Sequence, residues 1–312
     1  MAKSKKPLKA ALQSQQSRLK MKQKASQATQ AAELMSKKPG AKGKGKAKES
    51  APPHRRTVPF RATDKILLIG EGNFSFARAL VSGAPAELEH LPLKNITATA
   101  YDTEQECFEK YPEAPEIVQG LRAAGVEVLF GVDATQLGKV PALKGRRWDK
   151  IVWNFPHAGK GITDQDRNIL ANQLLILGFL RSAAGFLTTG SIPETFNARK
   201  RKRPDDEEED NADDSDRADN QVAAERGSIL ITLRNVVPYT QWDVPRLAKN
   251  PPAPTLNSTP ENPPYVLLRS FVFHRTMWKG YEHRMTKGER AHGMGKTGEG
   301  GEDRTWEFVL KD

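Results

Sequence analysis

The sequence predicts an α/β domain built on a mostly parallel seven-stranded sheet with an antiparallel edge. Three observations carry that expectation. Short apolar runs alternate with longer amphipathic stretches, the pattern of strands joined by covering helices. The first run, Ile66 to Ile69, is followed by Gly70-Glu71-Gly72 and then turns amphipathic, as a buried parallel strand feeding a helix does. Residues 64–312 are also long enough to bury one sizeable core.

Taken in order, strands are expected at 65–69, 96–101, 126–130, 150–153, 229–233, 266–273 and 305–310, with helices at 74–81, 103–110, 114–124 and 164–186. The last two strands have no long helical pattern between them, which suits an antiparallel pair at the sheet edge. Two segments interrupt the domain. Residues 193–226 run from Arg199-Lys200-Arg201-Lys202-Arg203-Pro204 into an acidic block, Asp205 to Asp216, without apolar periodicity. They read as a disordered insertion, whose basic half is either a nuclear address or one side of a self-neutralising loop. Residues 250–264 are Pro-rich and read as a surface connection.

Charge is divided unevenly. Residues 1–63 hold 17 Lys and Arg against Glu33 and Glu49, while the rest of the chain holds 32 against 36 acids. This basic segment has few large apolar side chains, so residues 1–63 are expected to be a disordered tail. It can neutralise phosphates without reading sequence, or serve solubility or nuclear addressing. No apolar leader or membrane span is apparent, and the expectation is a protein without a membrane partner. Cys107 is the only cysteine, which excludes an internal disulfide and a cysteine-based zinc site; no metal is expected.

In open α/β sheets ligands bind at the carboxyl ends of strands. The Gly70-x-Gly72 turn lets the backbone approach a ligand closely, and the N–H groups opening the next helix point at it; the alternative is an ordinary strand–turn–helix. Asp102 ends the second strand, where a carboxylate can accept from both hydroxyls of a ribose. Asp133, with Ala134 beside it, follows the third strand, where it can accept from an adenine amino group. Either Asp can instead cap a helix. The fourth strand ends in Asn154-Phe155-Pro156-His157-Ala158-Gly159. That turn resembles the Asn/Asp-Pro-Pro-aromatic motif of methyltransferases acting on base nitrogens, with an imidazole in place of the aromatic. His157 is the side chain best matched to proton removal near neutral pH. Toward the C-terminus, Arg275, Lys279, Tyr281, His283, Arg284 and Lys287 form a basic and aromatic stretch. It suits either RNA contact or a solvated strand face.

Together these motifs, with Asn172-Gln173-Leu174-Leu175, Gly227 to Leu233, Pro238-Tyr239-x-x-Trp242 and Tyr281-Glu282-His283-Arg284-Met285-Thr286, resemble the Rossmann-like rRNA uridine-N3-methyltransferases typified by the fungal large-subunit enzyme. The resemblance implies a class I S-adenosylmethionine-dependent methyltransferase acting on N3 of a uridine in large-subunit rRNA, as naked rRNA or in a pre-ribosome, in the nucleolus. It implies that Gly70, Glu71, Gly72, Asn73, Phe74 and Ser75 line the cofactor, with Asp102 at its ribose and Asp133 and Ala134 beyond. It puts Asn154, Phe155, Pro156 and His157 at methyl transfer. Asn73 departs from the acidic residue expected in the Gly-Glu-Gly-Asp-Phe-Ser form. Two other readings stand beside this one: a non-catalytic RNA-binding assembly factor that keeps the fold, and an NAD-dependent oxidoreductase.

Overall fold

A computed structural model describes residues 56–192, 225–254, 259–284 and 301–312. Seven strands form one sheet: β1 (Ile66–Ile69), β2 (Ile96–Thr99), β3 (Glu127–Leu129), β4 (Lys150–Asn154), β5 (Ser228–Arg234), β6 (Tyr265–Val272) and β7 (Asp303–Leu310). Their order is β3-β2-β1-β4-β5-β7-β6. The first five are mutually parallel, while β7 runs antiparallel between β5 and β6. The expected strands all form, with shifts at their ends. The antiparallel edge also forms, with β7 inserted inside β6.

Helices α1 (Ser75–Ser82), α2 (Glu104–Lys110), α3 (Ala114–Ala123), α4 (Gln165–Ala183) and α5 (Val244–Lys249) connect or flank the strands. Strand residues alternate between two cores, as a period of two requires. Ile66 and Leu68 pack on one face with α1 and α3; Leu67 and Ile69 pack on the other with α4 and α5. Burial on both faces explains why β1 reads as an uninterrupted apolar run. Helix α4 and its 3-10 extension, Gln165–Phe186, are long and apolar enough to cross a membrane. Ile176, Leu177, Phe179, Leu180 and Ala183 are buried against the sheet, the packing of a core helix. A short helix, α5, was not expected, because six residues beginning Val244-Pro245 carry too little periodicity to register.

The core takes in residues on either side of the expected boundaries. Phe60, within the segment read as tail, is 5% exposed and meets Trp278 edge-on at 5.7 Å. The tail therefore does not extend to residue 63; residues 1–55 lie outside the described residues. Residues 193–224 of the insertion do too, but Glu225 and Arg226 belong to the fold. Glu225 bridges Ser191, and the Arg226 guanidinium donates to the carbonyls of Gly190 and Leu310. Residues 250–254 and 259–264 form neither helix nor strand, as expected of the Pro-rich connection, and 255–258 lie outside the described residues.

One polar network crosses the sheet. Glu307 of β7 is 1% exposed and accepts from Lys150 Nζ at 2.7 Å, from Ser228 Oγ at 2.7 Å and from Arg269 Nε. Burial favours the neutral acid, but the two cations outweigh it and hold Glu307 below its ordinary range.

Candidate active site

Helices and strand ends converge where β1 is flanked by β2 on one side and β4 on the other, the point at which sheet order reverses. A cleft there is lined by Gly70, Glu71, Gly72, Asn73 and Ser75 of the glycine loop, Tyr101 and Asp102 after β2, Tyr111 after α2, Asn154 at the end of β4 and Phe155 after it, and residues 281–284.

The loop is shaped by close approach and by backbone torsion. Gly70 has φ +62°, and a Cβ there would stand 2.8 Å from Trp153 Nε1. Both facts demand glycine. Trp153 itself is 6% exposed and packs on Phe179 at 4.6 Å, so it is core and not part of the cleft. Phe74 also has positive φ, +61°, and its ring is buried on Phe130. Phe74 therefore shapes the loop from beneath and does not line the cleft.

Asn73 is 3% exposed and fully used: Oδ1 accepts from Ser75 N–H at 3.2 Å and Nδ2 donates to Glu113 Oε1 at 2.7 Å. Glu113 in turn pairs with Arg284 at 2.8 Å. An amide is thus compatible with its neighbour, whereas a carboxylate at 73 would face Glu113 with like charge. Ser75 Oγ donates to the Glu282 carbonyl at 2.9 Å and accepts from Glu282 N–H at 3.0 Å, clamping residues 281–284 over the loop.

Asp102 lies in the cleft and does not cap α2. Thr103 takes that role, in a reciprocal capping box with Glu106. Asp102 Oδ1 accepts from Lys110 Nζ at 2.6 Å. Asp133 and Ala134 are not brought to the cleft. Asp133 accepts from Thr135 N–H at 2.8 Å, Thr135 Oγ1 at 2.7 Å and Gln136 Nε2 at 2.8 Å, so it is the cap of its own short 3-10 turn. Burial pushes its carboxyl up, but these bonds outweigh that and hold it low. Ala134 is buried in the core beside α4.

The turn after β4 splits. Asn154 faces the cleft with both Oδ1 and Nδ2 buried and without a hydrogen-bond partner among the described residues. Phe155 adopts φ +54° and sets its ring 4.3 Å from that of His283, with the Arg275 guanidinium 5.0 Å from the ring centre. Pro156 is buried. His157 departs from expectation: it is exposed, turns away from the cleft, and lines a neighbouring groove with Tyr239 and Trp242. Its Nδ1 accepts from Gly159 N–H at 2.9 Å. Asn172, 1% exposed, fixes this turn by accepting from Ala158 N–H at 2.8 Å.

The imidazole inside the cleft is His283. Burial, reinforced by Arg275 and Arg234, depresses it to about 4, so it is neutral at physiological pH. Tyr281 is pushed above its ordinary range by burial. Of the other residues expected to meet RNA, Arg275 pairs with Asp303 at 2.6 Å and Arg284 with Glu113 and Glu282. Lys279 is exposed, and Lys287 lies outside the described residues. Arg275 and Arg284 thus serve the fold's own carboxylates.

Glu71 is the cleft's other titratable group of note. Loss of hydration pushes its carboxyl up to about 7, although the N–H groups of Phe76 and Ala77 at the start of α1 favour the anion. Sequence reasoning missed Tyr101, Tyr111 and Glu282. Tyr101 carried a signal, an aromatic beside the strand-end Asp102, and it is 71% exposed at the cleft. Tyr111 and Glu282 carried none, since each arrives through folding of distant segments. Among the described residues no cluster of His, Cys, Asp and Glu could hold a metal ion.

The 25S rRNA (uridine(2634)-N(3))-methyltransferase of Saccharomyces cerevisiae is 30% identical over 260 residues, 75% of this chain and 70% of that protein. An Arabidopsis thaliana protein, At4g26485, is 31% identical over 193 residues, 61% of this chain and 72% of that one. A solved 16S rRNA (adenine(1408)-N(1))-methyltransferase from Catenulisporales acidiphilia aligns over 80% of this chain and 90% of that one, at 11% identity and a TM-score of 0.32, too slight a likeness to carry an argument. Residues 67–285, from β1 to the clamped segment and so including every part of the cleft, match the family described as rRNA (uridine-N3-)-methyltransferase BTM5-like, and the chain belongs to that family.

Proposed function

We propose that the chain methylates N3 of a uridine in large-subunit rRNA, drawing the methyl group from S-adenosylmethionine and working in the nucleolus on rRNA or a pre-ribosome. Asn154 carries this reading. A buried carboxamide with neither atom satisfied costs stability unless a ligand completes it. The imide edge of uracil offers a matching N–H donor beside carbonyl acceptors. Asn154 Oδ1 can accept from N3–H while Nδ2 donates to a flanking carbonyl.

The cleft's donors and acceptors suit the cofactor. Asp102, a carboxylate in the cleft, can accept from ribose hydroxyls, and the glycine loop lines the cleft beside it. When bound, S-adenosylmethionine supplies an electrophilic methyl group. The protein's task is then to hold the uracil and remove its proton. N3 is a poor nucleophile while protonated, and negative charge that develops on proton loss spreads to the carbonyl oxygens. Asn154 Nδ2 stabilises that charge. For the proton itself, His157 is turned away and His283 is too weak a base at about 4. Glu71, at about 7, is the cleft group best matched to accept it near neutrality.

The NAD-dependent alternative finds no support in the family to which the chain belongs. The test is nucleoside mass spectrometry of large-subunit rRNA from cells lacking the protein, complemented with wild type or Asn154→Ala. Loss of 3-methyluridine, restored by wild type and not by the variant, is expected. Restoration by Asn154→Ala would remove the central residue of the reading, and 3-methyluridine unchanged on deletion would leave an assembly role instead.

A further inference from the structure

The groove that holds His157 is a second site. It lies beyond the Asn154-Phe155-Pro156 turn and is lined by the rings of His157, Tyr239 and Trp242, by Ile162 and Pro238, and by Thr163, Gln165 and Asn168. Tyr239 and Trp242 meet edge-on at 5.1 Å, and the His157 ring stands 5.9 Å from Trp242 at 51°. Trp242 is 1% exposed, and its Nε1 has no hydrogen-bond partner among the described residues. A buried indole N–H without an acceptor is costly.

We propose that this groove binds a base of the substrate RNA adjoining the methylated uridine, stacked against His157 and Tyr239. This rests on the reading of the chain as an RNA uridine methyltransferase. The chemistry favours a nucleobase over other occupants. Among the described residues neither Lys nor Arg lines the groove to hold a phosphate or an acidic peptide, and the amide and hydroxyl groups lining it would be wasted on a purely apolar ligand. Bases offer a flat π face together with polar edges, and stacking on aromatics is the usual way single-stranded RNA is held. Continuity supplies the register. The four residues from Asn154 to His157 pass from one site to the other, so one strand can present its target base to Asn154 and a neighbour to His157. Phe155, with φ +54°, lies between Asn154, which lines the cleft, and His157, which lines the groove. His157 is thereby a binding residue for the strand and not the proton acceptor.

The test uses the full chain, an in vitro transcript of large-subunit rRNA, and the variants His157→Ala, Tyr239→Ala and His157→Phe. Both alanine variants should weaken transcript binding and raise its KM about tenfold, the scale of one lost stacking partner. The KM for S-adenosylmethionine should hold, and His157→Phe should recover RNA binding because it keeps the ring. Melting curves exclude unfolding of Tyr239→Ala; should that variant unfold, the His157 pair decides alone. Unchanged transcript affinity in His157→Ala overturns the proposal. So does a loss of kcat at constant transcript KM, which would return His157 to the transfer chemistry. Direct binding by filter retention reads the groove even without turnover. If wild type binds the transcript, loses affinity with His157→Ala, and forms no 3-methyluridine, the activity assignment fails while the groove stands.

Discussion

Within one turn, where Phe155 has φ +54°, Asn154 meets the cleft and His157 the neighbouring groove. Sequence could mark Asn154 and His157 as chemically able residues at a strand end, but no pattern encodes a local left-handed residue that turns His157 outward. The imidazole of the cleft comes instead from position 283, and the proton acceptor proposed above, Glu71, from within the glycine loop. Glu71 has a pH signature. As a proton acceptor it must be ionised, so kcat/KM should rise with pH through about 7 and level off above it. Stability runs the other way. Folded Glu71 keeps its proton to about 7 while the unfolded chain loses it near 4.5, so the native state binds more protons between those values. Stability should therefore fall as pH rises through that window, by up to about 3 kcal/mol, and be flat above it. Glu71→Gln should remove the inflection in the rate profile, lower kcat/KM, and flatten that part of the stability curve. A rate inflection that survives the substitution would assign the proton to another group. Asp133 teaches a related lesson, because both of its roles were open in the sequence. Only the nearby Thr135 and Gln136 donors decide for the cap.

At the scale of elements, the strands were legible because burial on both sides writes continuous apolar runs, and the parallel order follows from the helices between them. What was not legible is the segment running from the turn at 275–277 to residue 284, which folds back across the glycine loop. Ser75 and Glu282, joined by two hydrogen bonds, are 207 residues apart in sequence. Arg78 Nη2 donates to the Gly280 carbonyl at 2.8 Å, and Lys279 N–H donates to the Gly83 carbonyl at 3.0 Å. Phe76 packs edge-on against both Trp278 and Tyr281. The C-terminal end of α1 is thus shaped by its contact with this segment. Gly83 has an ordinary negative φ, but a Cβ there would lie 2.1 Å from the Lys279 carbonyl oxygen. Space, not torsion, demands glycine. Gly83→Ala must displace the segment, with an expected loss of about 1–3 kcal/mol in denaturant unfolding. Because the same segment carries Glu282, His283 and Arg284 into the cleft, the KM for S-adenosylmethionine should rise as well. An alanine variant with wild-type stability and KM would show that the segment can shift without disturbing the site.

Over the whole molecule, charge is divided unevenly along the chain. The unit from Arg55 onward carries 35 Lys and Arg against 36 acids, whereas residues 1–54 carry 14 against Glu33 and Glu49. Two of the folded unit's arginines nearest the cleft are committed internally, Arg275 to Asp303 and Arg284 to Glu113. A nearly neutral unit with paired arginines at its site is poorly equipped to attract a polyanion, and the charge able to do so resides mainly in the first 54 residues. On the proposed function, the N-terminal segment supplies long-range attraction for rRNA, and the cleft and its groove select the base. Cation contacts to phosphate release counterions, so each adds roughly 0.7 to 0.9 to the slope of log affinity against log salt. Removing residues 1–54 should therefore flatten the salt dependence of rRNA binding by several units and raise the Kd for rRNA at low salt. At high salt, where screening suppresses the tail's contribution, the full and shortened chains should converge. Affinity for S-adenosylmethionine should be the same in both, because the cleft lies wholly within the second unit. Titrations with rRNA across a salt series measure this directly. An unchanged slope in the shortened chain would mean that the folded unit supplies the phosphate contacts itself, despite its balance of charge.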